Sequence, residues 1–254
     1  NQVKEAIIYS GKSLDIWKKK NDTEKIGNCM RFLSRLWWFD GNRKQAESFA
    51  GWAIEVLDKQ PSSRAKAMAY SNMSQLKMLS DQSAECIAWG EKAIAMAQEL
   101  KDEETLSHAL NNVGSVQMNK QSSQRKGIEL LQQSLEIALK NSFQEHAARA
   151  YSNLGSNGVG MKNYVFAKKI LDEGIHYCEE RDLDSWRLNM LSVKASLNLG
   201  TGDWKNACSI ADNLLKNESQ LPSFTIAALI VVATIKMRRG DADALLYLLK
   251  AETM

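Results

Sequence analysis

One spacing constrains this chain more than anything else in it. Small residues recur as Ser34, Ser74, Gly114, Gly155, Ala195 and Ala233, at steps of 40, 40, 41, 40 and 38. A second series runs Ala6, Ala46, Cys86, Gly127, Ala167 and Ala207, with Leu245 in the last place, at steps of 40, 40, 41, 40, 40 and 38. Two independent markers share one period. A fixed period of this size is the mark of a repeat array, in which each unit buries its apolar face only against its neighbours.

The clearest copy lies at 147–177, AARAYSNLGSNGVGMKNYVFAKKILDEGIHY. It predicts two short amphipathic helices joined by a tight turn. The first carries Tyr151, Leu154 and Gly155; the second carries Ala167, Leu171 and Gly174 at spacings of four and three. With about 3.6 residues per turn, each set shares one helix face. Gly155 and Ala167 are read as the points where two helix backbones approach. The pattern resembles a tetratricopeptide-type hairpin. The common form has a period of about 34 residues, so this one needs about one to two extra helical turns per repeat. The expected fold is all-α: a right-handed superhelical solenoid of such hairpins with a period of about 40 residues.

The array reads as a single repeat domain over 1–254. An orphan second helix at 1–22 precedes six hairpins at 23–60, 62–101, 103–142, 145–182, 184–219 and 223–254. Neither end carries a polar capping helix, so the chain is expected to be a fragment of a longer protein. Composition agrees with helices throughout. The chain has only two prolines, Pro61 and Pro222, and both fall between hairpins. The run AALIVVATI at 227–235 is too short to span a bilayer and reads as a buried first helix.

Several function classes fall away. A formal charge of +3 gives no reason to expect direct nucleic-acid binding. No signal peptide opens the chain and no membrane segment is expected. Cys29, Cys86, Cys178 and Cys208 lack metal-ligand spacing and read as free thiols in a reducing cytoplasm. The segment GSNGVGMK at 155–162 is not a phosphate loop: Met161 separates Gly160 from Lys162, and no Ser or Thr follows. No acid/base pair, nucleophile motif or metal cluster is present. The chain is therefore expected to be non-catalytic, with no cofactor and no metal.

The binding candidates come from repeat arithmetic. Asn72, Asn112 and Asn153 recur at steps of 40 and 41, off the apolar stripe and towards the inner face of such a superhelix. They form either a ladder of donors and acceptors for a ligand or a set of ties between repeats. Arg31, Arg35, His108 and Arg149 fall on nearby inner positions. Trp37 and Trp38 are about 100° apart on a helix and cannot both face the core, so Trp38 joins the ligand-binding candidates. The expected occupant of this concave groove is a peptide, a protein or a small-molecule effector.

Six segments carry a further resemblance: LSRLWWF at 33–39, AMAYSNMSQLKML at 67–79, AWGEKAIAMA at 88–97, HALNNVG at 108–114, AYSNLGS at 150–156 and LDEGIHYCEERDLDSWRLNML at 171–191. Together they resemble the tetratricopeptide region of bacterial LuxR-type, MalT-like ATPase transcription regulators. The resemblance implies a cytoplasmic sensor arm that binds an inducer or partner. It also implies that the ATPase and DNA-binding modules of the parent chain are under its control. Without it, the residues support a general scaffold that holds a partner's helix or tail.

Overall fold

Helix ends in this chain are built by a device that recurs at turn after turn. The computed structural model describes residues 2–216 and 222–253 and gives side chains for all of these except 222 and 223. Asn1, Met254 and the hairpin boundary set at Ser219 lie outside the described residues. Every regular element among the described residues is an α-helix. In chain order they are α1 Gln2–Lys19, α2 Thr23–Phe39, α3 Arg43–Asp58, α4 Arg64–Leu79, α5 Ser83–Glu99, α6 Glu103–Met118 and α7 Gln124–Lys140. There follow α8 Gln144–Gly160, α9 Tyr164–Glu179, α10 Asp184–Gly200, α11 Trp204–Leu215, α12 Pro222–Arg239 and α13 Ala244–Glu252.

The turn between α2 and α3 shows the device. Gly41 adopts a left-handed conformation with φ of 82°. This lets the Asn42 N–H reach back to the Trp37 carbonyl at 2.9 Å, closing α2. The Asn42 side chain then accepts from the Gln45 N–H at 3.1 Å, opening α3. One residue thus satisfies an orphan carbonyl behind it and an orphan amide ahead of it. Asp22, Asp102, Asn163 and Asp203 do the same, bonding back to the carbonyls of Trp17, Ala97, Gly158 and Asn198. Their side chains accept from the amides of Lys25, Thr105, Phe166 and Asn206. The turn between α6 and α7 is longer, 119–123, and absorbs the step of 41.

The chain divides into two compact units, Asn1–Asn141 and Ser142–Met254. In the first, α2 packs on α4 and α4 on α6; in the second, α8 packs on α10 and α10 on α12. Among the described residues and within each unit, second helices touch only first helices, their own and the following one. Each unit is therefore two layers, with the first helices forming the inner one. Leu14, Leu33, Leu57 and Leu76 are core residues of the first unit; Ala195, Ala211, Leu214 and Ile235 are core residues of the second.

The small-residue markers are buried, with two departures. Ala6 is half-buried, and Leu245 is 62% exposed while Ala244 beside it is 5% exposed. The last step of the second series is therefore one residue shorter than the marker arithmetic assumed. The close approaches also differ in kind. A Cβ on Gly155 would meet the Leu171 side chain at 2.5 Å, not a backbone, whereas Ala167 faces Gly158. Backbone approach is tightest at α6 and α7, where a Cβ on Gly127 would lie 2.1 Å from the Met118 nitrogen. Ser107 and Ser134 lock the same pair reciprocally, each hydroxyl donating to the other's carbonyl at 3.0 and 2.7 Å.

This contrast is directly testable. Gly127→Ala has no side chain to push aside, so it should lower stability by about 1–3 kcal/mol through overpacking. Gly51→Ala, in α3 with nothing within 4 Å of the new methyl, should gain about 1 kcal/mol from helix propensity. Urea midpoints of the two variants, moving in opposite directions, check the assignment.

Candidate functional site

The inner layer of the first unit holds most of the polar positions that repeat arithmetic selected. Arg31 and Arg35 are four apart on α2, so they share a face. Arg31 is half-buried. Its Nε donates to Asn28 Oδ1 at 3.4 Å. Burial, and next the charge of Arg35, pull its guanidinium down to about 10, against the opposing charges of Glu104 and Cys29. Glu104 stands in the first turn of α6, so Arg31 and α6 are in electrostatic reach within one unit. The Arg35 guanidinium lies 6.0 Å from the centre of the Phe39 ring.

The aromatic residues of α2 divide differently from expectation. Trp37 and Trp38 are both half-buried and both pack against the core of the first unit. Trp38 meets Phe39 edge-on at 5.6 Å. The exposed rings are Phe32 and Phe39. Trp38 is therefore a core-packed residue with one edge near the Arg35–Phe39 contact.

Asn72, His108 and Asn112 do not line an open groove. Asn72 is 2% exposed and its Nδ2 donates to Ser34 Oγ at 3.1 Å. Asn112 is fully buried and its Nδ2 donates to the Ser71 carbonyl at 2.9 Å. His108 is 2% exposed, with Nδ1 2.6 Å from Ser71 Oγ. Each reaches back to the preceding first helix. The position lies off the apolar stripe, but on the side where the neighbouring first helix covers it. Of the two readings open for the asparagines, the inter-repeat tie is the one these two geometries support. A second junction lies behind them: Ser74 Oγ donates to the Cys86 carbonyl at 2.8 Å, and Cys86 Sγ to the Asn112 carbonyl at 3.7 Å. Burial pushes the Cys86 thiol up, which suits a packed thiol rather than a reactive one.

Arg149, buried, and Asn153, half-buried, belong to α8 of the second unit. The first unit thus brings Arg31 and Arg35 together on α2, with Glu104 within reach. Ser71 escaped the sequence reading, although it stands 40 residues after Arg31 and anchors both His108 and Asn112. Gln75, 40 residues after Arg35, is half-exposed and continues that position onto α4.

The second unit has an open polar cleft of about 360 Å³ lined by Lys168, Lys194, Asn198, Asp203, Asn206, Ser209 and Ile210. Two of its charged groups are already occupied. Asp203 caps α11, and Lys194 pairs with Asp172 at 2.6 Å. Among the described residues no cluster of His, Cys, Asp and Glu could hold a metal ion, and no helix is long and apolar enough to cross a membrane.

No protein-family model matches the chain, and a search of the curated proteins finds no sequence match. Solved structures are similar in fold. The signal transduction ATPase with numerous domains from Pyrococcus horikoshii, which carries a tetratricopeptide repeat sensor, is 16% identical with a TM-score of 0.63, over 91% of this chain and 37% of that one. Aspartyl phosphate phosphatase F from Bacillus subtilis is 18% identical with a TM-score of 0.71, over 98% of this chain and 64% of that one. PilF of Pseudomonas aeruginosa is 17% identical with a TM-score of 0.57, over 92% and 93%. The chain thus spans about a third and somewhat under two thirds of the first two proteins. The likeness is one of fold, an all-α array of tetratricopeptide-like hairpins.

If Asn72 and Asn112 are ties, their loss is read in stability. Asn72→Ala and Asn112→Ala should each cost about 0.5–1.5 kcal/mol, the net worth of a buried hydrogen bond. Thermal denaturation checks this; unchanged melting temperatures would return both side chains to the ligand-binding reading.

Proposed function

We propose that this chain is a non-catalytic recognition arm that binds a peptide or protein segment along the inner layer of its first unit. The observation that carries the reading is the Arg31–Arg35 pair. Two cationic forks share one face of α2, in the layer where α2, α4 and α6 adjoin. A charged group held partly out of water without a catalytic partner is a recognition feature. Arg149 and Asn153 are proposed as further ligand contacts in the second unit, as the repeat arithmetic suggests.

In its finer form the reading is a sensor. An inducer, peptide or small effector binds the arm, and differential affinity shifts the ATPase and DNA-binding modules of a longer cytoplasmic chain between resting and active states. The resemblance to MalT-like regulators supports this, as does the likeness in fold to an ATPase with a tetratricopeptide repeat sensor. The alternative is a general scaffold using the same face to hold a partner's helix or tail. An ATPase rate in the longer chain that follows occupancy of the arm would separate sensor from scaffold.

The face itself can be tested without a known ligand. A photocrosslinking residue, p-benzoylphenylalanine, replaces Gln75 on α4 or, as a control, Val165 on α9, which is 87% exposed. Dodecapeptides selected from a random displayed library are then irradiated with each. Crosslinking concentrated at position 75 is the expected result. Equal capture at position 165 would remove the inner layer as the binding surface.

A further inference from the structure

We propose that the polar cleft of the second unit is a binding site for a small organic anion. It is independent of the recognition face of the first unit, and the repeat itself marks it out. The residue just before the small marker of each first helix is apolar and buried in five hairpins: Leu33, Met73, Val113, Leu154 and Val232. Val113 shows what that position does. It packs on the preceding second helix, where a Cβ on Gly90 would collide with its side chain. In α10 the same position is Lys194. The residue just after the marker of each second helix is Ile7, Ile87, Ile128 or Cys208, each half-buried, with Glu47 the exposed exception in α3. In α9 it is Lys168. A lysine in a core position loses hydration and forfeits apolar burial. Here two lysines stand where the repeat has packing, and both line the cleft of about 360 Å³ formed by α9, α10 and α11.

The lining selects the ligand. Lys194 spends part of its charge on Asp172 of α9, 2.6 Å away. Lys168, Ser209 and the Asn198 carboxamide have no hydrogen-bond or ion-pair partner among the described residues. The Asp203 carboxylate is turned to its own helix, accepting from the Asn206 N–H at 3.3 Å and from Asn206 Nδ2 at 2.7 Å. It stands at the start of α11, where the helix dipole offsets its charge. What remains is one free ammonium, a second ammonium partly neutralised, a hydroxyl and an amide. These are donors for a single anionic group, and lysine serves phosphate and carboxylate alike as a point charge. Asp203 stands against a polyanion. The volume lies at the lower end of ligand pockets, roughly 300–1,000 Å³, which suits a small molecule. Ile210 offers an apolar contact to its carbon body.

The test uses the full 254-residue chain and four probes: glycerol 3-phosphate, 3-hydroxybutyrate, inorganic phosphate and glycerol. Calorimetric titration should show one-site binding of glycerol 3-phosphate or 3-hydroxybutyrate, weakening as salt rises, while glycerol stays silent. The stronger of the two organic probes tells whether the anchor is a phosphate or a carboxylate. Lys168→Gln, at an exposed position, should weaken binding at least tenfold. Lys168→Ile with Lys194→Leu restores the residues of the other repeats. It should abolish binding and raise the urea midpoint, because the apolar position is refilled. A fall in that midpoint would make the lysines a structural tie through Asp172 and overturn the site. No binding of either organic anion, or binding unchanged in Lys168→Gln, would overturn it as well. Inorganic phosphate bound as tightly as glycerol 3-phosphate would overturn the assignment to an organic ligand.

Discussion

Everything in this chain depends on ending one helix and starting the next within three to five residues. A helix leaves four carbonyls unsatisfied at its end and four amides at its start. Spending separate residues on each end would lengthen every turn and let the helices splay. Asn42 and its counterparts serve both ends at once, and the left-handed residue before each makes this possible. Glycine does so without steric cost at Gly41 and Gly202; Asn21, Lys101 and Lys162 accept a left-handed φ with a Cβ present. Short turns hold consecutive helices antiparallel and close. Close helices in turn require the small residues of the two marker series.

Much of this could be read from the residues because the constraint repeats. A small residue forced at one place recurs one period later, and the helix faces follow from spacing alone. What failed was what spacing does not encode. Leu245 was placed by counting, but Ala244 is the residue that fits beneath its neighbour, since burial follows volume rather than arithmetic. Gly155 was rightly read as crowded, but the crowding comes from Leu171, which a helix-to-helix count does not reveal. The asparagines were the hardest case. Their direction off the apolar stripe was legible; whether a neighbouring helix covers that direction depends on inter-helix distance. Ser34 and Ser71, the partners that decide the matter, look in the sequence like ordinary small residues.

Arg31 and Arg35 show the opposite balance. Their shared face follows from a spacing of four, and nothing in the chain's near-neutral charge hints that they matter. Only the structure shows that Arg31 is half-buried, that its one hydrogen bond is long, and that Arg35 weighs on its charge. The polar residues of the inner layer thus divide by role. Asn72, Asn112 and His108 spend hydrogen bonds on the neighbouring helix, while Arg31 bonds within its own helix, to Asn28.

The rule that second helices touch only first helices has a kinetic side. Within each unit a hairpin meets nothing beyond the next hairpin, so the contacts that define it close loops of modest size. Asn112 reaches Ser71 and Asn72 reaches Ser34, each about one period back along the chain. Such low contact order favours fast folding. Nucleation can begin at any hairpin and spread outward. The same locality cuts the other way under load. A pull on either end of a unit meets its last hairpin first, and the stack should give way by fraying in steps rather than by one cooperative rupture.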